Sequence, residues 1–173
     1  KEIHPGRAPD SAELDAIQHL LEGTELPLTD SRTNVLPEGV SHVHTATLGT
    51  VTRGNVSKFT AQHPELCVAL VALARRHDPK FPFSSIQINR NYGARLHVDA
   101  SNQGLCLAIA VGSFTGGELW IQDDEGTVEL PRPNDLPDWK IRQSGPMVRG
   151  RVEDINRRWV YFDGRRLHRV MPF

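Results

Sequence analysis

The stretch that decides the fold is SIQINRNYGARLHVDASNQGLCLAIAVGSFTGGELWIQ, residues 85–122. Short runs rich in apolar and β-branched residues alternate in it with glycine turns, which is typical of strands in an antiparallel sheet. The runs that we predict as strands after residue 83 cover 85–89, 95–99, 105–111, 118–122, 127–130 and 159–163. No alternation of strands with helices occurs there, so a parallel sheet is not expected.

Two amphipathic helices are predicted upstream of this β-rich part. Asp10 opens a capping box, and the first helix is expected to end at Gly23. A second helix is predicted over 60–76, with Pro64 tolerated in its first turn. Between the two helices, residues 40–52 are rich in valine and threonine and are predicted as a strand. We therefore expect an α+β fold in which helices pack on a many-stranded antiparallel sheet or barrel.

The length of 173 residues predicts a single domain. Residues 1–80 would supply helical support, and residues 81–173 would form the β core. The segment 131–150 contains four prolines, which disfavour a central strand. We predict that this segment is a long loop over the mouth of the barrel, where it could serve as a lid over the substrate.

The composition, 38% hydrophobic and 24% charged, is typical of a globular protein and excludes a disordered one. No apolar run approaches the roughly 20 residues that a bilayer span requires, so no membrane passage is expected. Cys67 and Cys106 lie among apolar neighbours and are predicted to be buried thiols. Together with a start that lacks the features of a secretion signal, they favour an intracellular location.

Arginine is concentrated near the C-terminal end, where residues 142–169 hold eight arginines and three acidic residues. Such a surface would suit an anionic substrate or a nucleic acid. The alternative is a solvated arginine face that is paired with acids such as Glu153 and Asp154.

The residues that carry chemistry begin with His97-Val98-Asp99. Residues i and i+2 of a strand project from the same face, which would place an imidazole beside a carboxylate. His168 follows 69 positions after Asp99 and is the candidate for a third ligand. Two histidines and one carboxylate leave metal positions open, as in non-haem iron(II) oxygenases, whereas a hydrolytic zinc site keeps fewer of them open.

These segments resemble the iron(II)- and 2-oxoglutarate-dependent dioxygenases of the double-stranded β-helix type, including the AlkB-like, TET-like and prolyl-4-hydroxylase-like members. Three motifs carry the resemblance, in the order that the family has them. They are Asn89-Arg90-Asn91-Tyr92-Gly93-Ala94-Arg95-Leu96-His97-Val98-Asp99, then Phe114-Thr115-Gly116-Gly117-Glu118-Leu119, and finally Phe162-Asp163-Gly164 with His168-Arg169-Val170-Met171-Pro172.

The resemblance implies a jelly-roll core and an iron(II) ion held by His97, Asp99 and His168. It also implies 2-oxoglutarate and dioxygen as co-substrates, with ascorbate as a reductant. Hydroxylation, or the oxidative demethylation that hydroxylation can trigger, would release succinate and carbon dioxide. Asn89 and Tyr92 match by position family residues that hydrogen-bond the co-substrate. The substrate stays open between a nucleobase, which must be taken out of its stack, and a protein side chain.

One departure from the family concerns the basic residue that pairs with the far carboxylate of 2-oxoglutarate. In the family it follows the distal histidine by about ten or more positions, but this sequence ends five residues after His168. Either a further strand follows Phe173 in the full protein, or an internal arginine takes the role. Arg95 is one candidate, because strand alternation puts it on the face of the metal-binding pair and its planar fork suits a carboxylate. Arg166, at the same spacing from His168, is the other.

Two alternatives remain at this point. His42-Val43-His44 also places two imidazoles on one strand face and could seed a cupin-type metalloenzyme, although no glutamate follows at the cupin spacing. The chain could also be an inactive β-barrel module that binds an anionic partner. Hydrolase and kinase functions are not expected, because the sequence has neither a nucleophile turn nor a phosphate loop.

Overall fold

The computed structural model describes residues 9–51, 54–99 and 101–173. It has a mixed α/β fold with antiparallel sheets, one of which is curled as a half-barrel. The described residues form two compact units. The first comprises the described residues up to Asp30 together with His42–Tyr92, and the second comprises Ser31–Ser41 and Gly93–Phe173. The single domain and its division at residue 80 stay predictions.

The helices of the first unit begin and end close to where capping residues predict. Helix α1, Ser11–Glu22, is capped by the Asp10 side chain and ends at Gly23, as predicted. The single helix predicted over 60–76 is two helices, α2 (Lys58–Gln62) and α3 (Pro64–His77). Pro64 opens α3 because proline, which has no N–H, fits the first helical position better than an interior one.

The sheet of the first unit has the order β1-β2-β3, formed by Leu28–Thr29, Val43–Gly49 and Ser85–Arg90. Both pairs of strands are antiparallel. Strand β2 lies within the predicted range 40–52, although residue 52 is outside the described residues. Gly49 ends β2 with a φ of +88°, and an added Cβ would lie 2.3 Å from the Ser84 carbonyl oxygen, so glycine is required there.

The second unit contains two antiparallel sheets. The two-stranded sheet pairs β4 (Cys106–Ala108) with β8 (Val160–Phe162). The four-stranded sheet has the order β6-β7-β5-β9, and its strands in chain order are β5 (Leu119–Gln122), β6 (Val128–Pro131), β7 (Met147–Glu153) and β9 (His168–Val170). All of these neighbours are antiparallel, as the sequence predicted.

A buried apolar cluster stabilises the second unit from within. Trp120, Ile141, Val148 and Leu167 are fully buried in it, and Val98 packs with them. Gly150 lies where β7 crosses the indole of Trp120, since an added Cβ would be 2.4 Å from that ring. Burying side chains of this size contributes about 1.5–3 kcal/mol each.

Two predictions for this unit are corrected by the structure. Residues 95–99 do not form a regular strand, and only His97 makes an isolated β-bridge there. The loop predicted over 131–150 is shorter, because β6 reaches Pro131 and β7 begins at Met147. The segment between these strands contains a short helix, α4 (Asp138–Ile141), which the buried side chain of Ile141 anchors. Strand β9 was not predicted either.

None of the helices in the described part of the chain is long and apolar enough to cross a bilayer.

Candidate metal centre

The structure brings His97, Asp99 and His168 together in the second unit. One potential ligand atom from each lies within 4.8 Å of the other two. Nε2 of His97 is 3.7 Å from Oδ1 of Asp99, and Nε2 of His168 is 3.7 Å from Oδ2 of the same carboxylate. Two atoms that each lie about 2.1 Å from one ion are about 3.0 Å apart in adjacent octahedral positions, so each of these contacts would shorten by about 0.7 Å around a shared ion.

Backbone pairing places the two histidines opposite each other. The N–H of His97 donates to the carbonyl oxygen of His168 at 3.1 Å, and the N–H of His168 donates to that of His97 at 3.0 Å. The N–H of Asp99 donates to the Gly164 carbonyl oxygen at 2.8 Å. His168 is also paired with Ile121 through β9 and β5, so the distal ligand is held on both sides.

Alternation of side chains explains why the ligands face one way. Val98 lies between His97 and Asp99 in the sequence and is 8% exposed, and Leu167 precedes His168 and is fully buried. Both apolar side chains belong to the core cluster of this unit. Because neighbouring residues in extended chain project to opposite sides, burial of Val98 and Leu167 turns the ligands to the other side.

Hydrogen bonds on the far side of each ring fix its tautomer. Nδ1 of His97 lies 2.7 Å from the carbonyl oxygen of Arg95, and Nδ1 of His168 lies 2.9 Å from that of Arg166. A carbonyl oxygen can only accept, so each Nδ1 carries the proton and donates it. Each Nε2 then offers its lone pair toward Asp99, and this outer hydrogen bond is the usual support of a metal-binding histidine.

Burial keeps both imidazoles neutral at physiological pH. It lowers the pKa of His97 to about 4, with the neighbouring His168 as the second cause, and the hydrogen bond to the Arg95 carbonyl opposes the shift. Burial is also the main cause that lowers the pKa of His168. A neutral imidazole is the form that binds a metal, so no proton has to leave either ring at pH 7.

The carboxylate of Asp99 has a neighbour that the sequence did not reveal. Nδ2 of Asn102 donates to Oδ2 of Asp99 at 3.3 Å and contacts Sγ of Cys106 at 3.0 Å. Gly164 closes this cluster, because an added Cβ would lie 2.8 Å from Sγ of Cys106 and 2.9 Å from Nδ2 of Asn102. Cys106 is partly buried and is not in a disulfide, and burial raises the pKa of its thiol, so it is held protonated.

A cavity of about 540 Å³ adjoins the cluster within the second unit. His97 and Asp99 line it, and most of its other lining residues are polar or charged, including Thr33, Asn34, Ser101, Asn102, Asp135 and Lys140. Two of the three candidate ligands thus face a space that is large enough for a small molecule.

The two arginines predicted to bind the co-substrate have different surroundings. Arg95 lines the cavity, but its guanidinium forms an ion pair with Asp135 at 2.8 Å and donates from Nε to the Asn34 carbonyl oxygen at 3.2 Å. Arg166 donates from Nη1 to the Gln122 carbonyl oxygen at 3.4 Å and is not among the cavity-lining residues. Their predicted role stays a prediction.

Two further cations near the cluster were missed. Lys140 on α4 lines the cavity. Nη1 of Arg32 is buried and, among the residues that the structure describes, it has no hydrogen-bond partner. The charge of Arg32 is also among the causes that lower the pKa of His97. Arg32 precedes His97 by 65 positions, and no motif or spacing points to it.

The other predicted residues lie in the first unit. Oδ1 of Asn89 accepts hydrogen bonds from the Tyr92 hydroxyl at 2.7 Å and from Oγ1 of Thr45 at 2.8 Å. The roles of Asn89 and Tyr92 toward a co-substrate therefore stay predictions. His42 and His44 are exposed, and Nδ1 of His44 lies 3.0 Å from the Leu26 carbonyl oxygen.

No protein-family model, curated protein or solved structure matches the chain. Within the described parts of the chain, His97, Asp99 and His168 form the only group of three or more residues that could hold a metal ion. Two neutral nitrogen donors and one carboxylate oxygen are a donor set that suits a divalent first-row transition metal. Three protein ligands leave coordination positions for small molecules.

Proposed function

We propose that this protein is an iron(II)- and 2-oxoglutarate-dependent dioxygenase that hydroxylates a substrate C–H bond. The observation that carries the proposal is the convergence of two buried, neutral imidazoles and one carboxylate beside a polar cavity. A 2-His-1-carboxylate set with open positions is typical of non-haem iron(II) oxygenases. The three residues fit the metal that the sequence resemblance implies.

The roles of the chain's own residues follow from this geometry. Nε2 of His97, Nε2 of His168 and the carboxylate of Asp99 would hold the metal, and the carbonyls of Arg95 and Arg166 keep both rings oriented. When bound, iron and 2-oxoglutarate supply the oxidising chemistry with dioxygen, and succinate and carbon dioxide are released. The polar cavity would accept the co-substrate, whose carboxylates need hydrogen-bond donors.

The double-stranded β-helix fold is part of the same proposal. The antiparallel sheets, one of which is curled as a half-barrel, are compatible with a β-sandwich, and we propose that they form the double-stranded β-helix that the resemblance implies. The bridge between His97 and His168 joins the two metal-binding segments, which supports this proposal.

The choice of substrate between a nucleic acid and a protein side chain depends partly on the arginine-rich segment. Several of its arginines are already paired with acids. Arg149 contacts Glu129 at 3.4 Å, and Arg151 contacts Asp123 at 2.7 Å and Glu153 at 2.8 Å. These ion pairs reduce the positive charge that would face a polyanion. They therefore favour a solvated arginine face paired with acids over a surface that binds nucleic acid.

The proposal is tested by turnover of the co-substrate. Purified protein with iron(II), ascorbate and 2-oxoglutarate should form succinate, and His168→Ala should abolish this. His44→Ala is the matched control, because it removes an exposed histidine of the rival pair and should leave succinate formation unchanged.

Loss of metal on replacing His42 and His44 would instead favour the cupin-type enzyme. Absence of both 2-oxoglutarate binding and succinate formation in metal-loaded protein would favour the binding module.

A further inference from the structure

The second unit buries one polar side chain that is not a candidate metal ligand. Among the residues that the structure describes in this unit, the buried polar side chains are those of His97, His168 and Gln122. Gln122 is 2% exposed, and strand alternation puts it on the same face of β5 as Trp120, which belongs to the apolar core cluster. An amide in such surroundings is costly unless its hydrogen bonds are made, so its partners call for an explanation.

The side-chain amide of Gln122 joins two segments that are distant in the sequence. Its Nε2 donates to the carbonyl oxygen of Ile141, the last residue of α4, and its Oε1 accepts from the N–H of Leu167 at 3.3 Å. A carbonyl oxygen can only accept and an N–H can only donate, so these two partners fix the orientation of the amide. The last carbonyls of a helix have no partner within the helix, and Gln122 supplies one here.

One end of this link lies next to the distal metal ligand. The backbone N–H of Gln122 donates to the Leu167 carbonyl oxygen at 2.8 Å, so Gln122 holds both backbone groups of the residue that precedes His168. Arg166 donates from Nη1 to the Gln122 carbonyl oxygen at 3.4 Å, and the carbonyl of Arg166 in turn accepts from Nδ1 of His168. The position of the imidazole therefore depends on Gln122 through residues 166 and 167.

The other end of the link is a wall of the cavity. Ile141 is fully buried and anchors α4 in the core. Lys140 on the same helix and Leu136 just before it line the cavity that adjoins the metal centre. A molecule in the cavity can therefore contact the α4 wall, and Gln122 connects that wall through the core to the metal ligand.

We propose that Gln122 is a positioning residue that couples the α4 wall of the cavity to the metal ligand His168. The inference rests on the metal site of the proposed function, but it does not depend on which co-substrate or substrate that site takes. Metal binding fixes His168 and the two residues before it, and the Gln122 amide passes this restraint to α4. Because coupling between two sites is reciprocal, loosening α4 weakens metal binding in return.

The first test is the affinity of the protein for manganese(II), measured by calorimetry without a 2-oxo acid. Gln122→Met keeps the length of the side chain, removes both of its hydrogen bonds and should weaken metal binding about 10- to 100-fold, as loss of an outer-shell partner does. Affinity equal to that of the wild type would overturn the inference.

Val148→Ala is the matched control for a loss of stability. It opens a cavity in the same apolar cluster and lowers the melting temperature, but it removes none of the hydrogen bonds of Gln122. Its manganese affinity should stay within about threefold of the wild type, because loss of packing alone does not move the ligands. If Val148→Ala and Gln122→Met lose metal affinity equally, Gln122 is only structural and the inference is overturned.

Hydrogen exchange of the α4 amides reports the other end of the link. Manganese(II) should slow exchange in residues 138–142 of the wild type, and it should not do so in metal-saturated Gln122→Met. A residue that only stabilises the core would leave this response to metal in place. The wild-type measurement needs no variant, so absence of any response there overturns the inference, as does an equal response in both proteins.

A double-mutant cycle tests the reciprocity. Ile141→Ala loosens α4 and should weaken manganese binding about 3- to 10-fold in the wild-type background, but less than about twofold in the Gln122→Met background. Additive losses would overturn the inference. A wild type that binds neither manganese(II) nor iron(II) would contradict the proposed function itself, whereas unchanged binding by Gln122→Met, with a wild type that binds, contradicts only the assignment of Gln122.

Discussion

His97 and His168 face each other across an antiparallel bridge, with reciprocal backbone hydrogen bonds of 3.1 and 3.0 Å and ring centroids 4.3 Å apart. Because these two residues are far apart in the sequence, the bridge between them is the contact that brings the ligands together. The Asp99 carboxylate completes the site, with Oδ1 3.7 Å from Nε2 of His97 and Oδ2 3.7 Å from Nε2 of His168.

The pKa shifts of the two histidines predict how stability of the metal-free protein depends on pH. The folded-state pKa of His97 is about 4, below its unfolded value of 6.5, so the unfolded chain binds more protons between these values. Stability should therefore be full above about pH 6.5 and should fall as the pH drops toward 4, by on the order of 3 kcal/mol for this group. His168 shifts in the same direction.

Urea unfolding at pH 7 and pH 5 measures this effect, with His97→Asn as the comparison. The variant lacks one titrating group, so its stability should change less between the two pH values. Carboxylates whose pKa is lowered, such as Asp123 and Asp163, titrate below this window and affect both proteins alike. Equal pH dependence in wild type and variant would contradict the prediction.

Asn102 should act as a positioning residue for Asp99. Its amide donates to Oδ2 at 3.3 Å, and loss of an outer-shell partner typically weakens metal affinity about 10- to 100-fold. Asn102→Ala should show this loss in a metal titration while its unfolding midpoint stays near that of the wild type. Asn156→Ala, which changes an exposed asparagine of the same unit, is the control. If Asn102→Ala binds metal as tightly as Asn156→Ala does, Asn102 is not a positioning residue for Asp99.

Gly164→Ala should disturb the carboxylate side of the site. The new methyl group would lie 2.8 Å from Sγ of Cys106 and 2.9 Å from Nδ2 of Asn102, which donates to Asp99, so these side chains must shift. Overpacking of this kind costs about 1–3 kcal/mol, and we expect lower stability together with weaker metal binding.

Cys106→Ala in the same chain should recover part of both losses, because it removes the sulfur that the methyl group meets. Gly23→Ala is the matched control, since its methyl group would have no neighbour closer than 3.5 Å. Metal binding by Gly164→Ala at the wild-type level would show that the glycine is not needed there.

The bounds of α1, most strands of the described residues and the spacing of His97 and Asp99 could be predicted from the sequence because each has a local signal. Asp10 and Gly23 bound α1 as capping rules require. Strand β7 was missed because its segment begins after prolines and contains Gly150, which the sequence alone could not place against Trp120. The local spacing of His97 and Asp99 was informative even though their segment is not a regular strand.

The cavity residues could not be predicted because they come from distant parts of the chain. Lys140 reaches the cavity only through tertiary packing, and no pattern around it in the sequence indicates a ligand. Asn102 lies close to Asp99 in sequence, but asparagine after a turn usually serves the backbone, so its contact with a carboxylate has no sequence signal.

The central claim is that His97, Asp99 and His168 hold one iron(II) ion with positions left for a 2-oxo acid. Anaerobic titration of the protein with iron(II) and then 2-oxoglutarate tests it, with the absorption band of the chelated 2-oxo acid as the readout. We predict one iron per chain and a band that saturates in the wild type, and neither in His168→Ala. Full iron binding by His168→Ala, or an iron-loaded wild type that gives no band, would contradict the account.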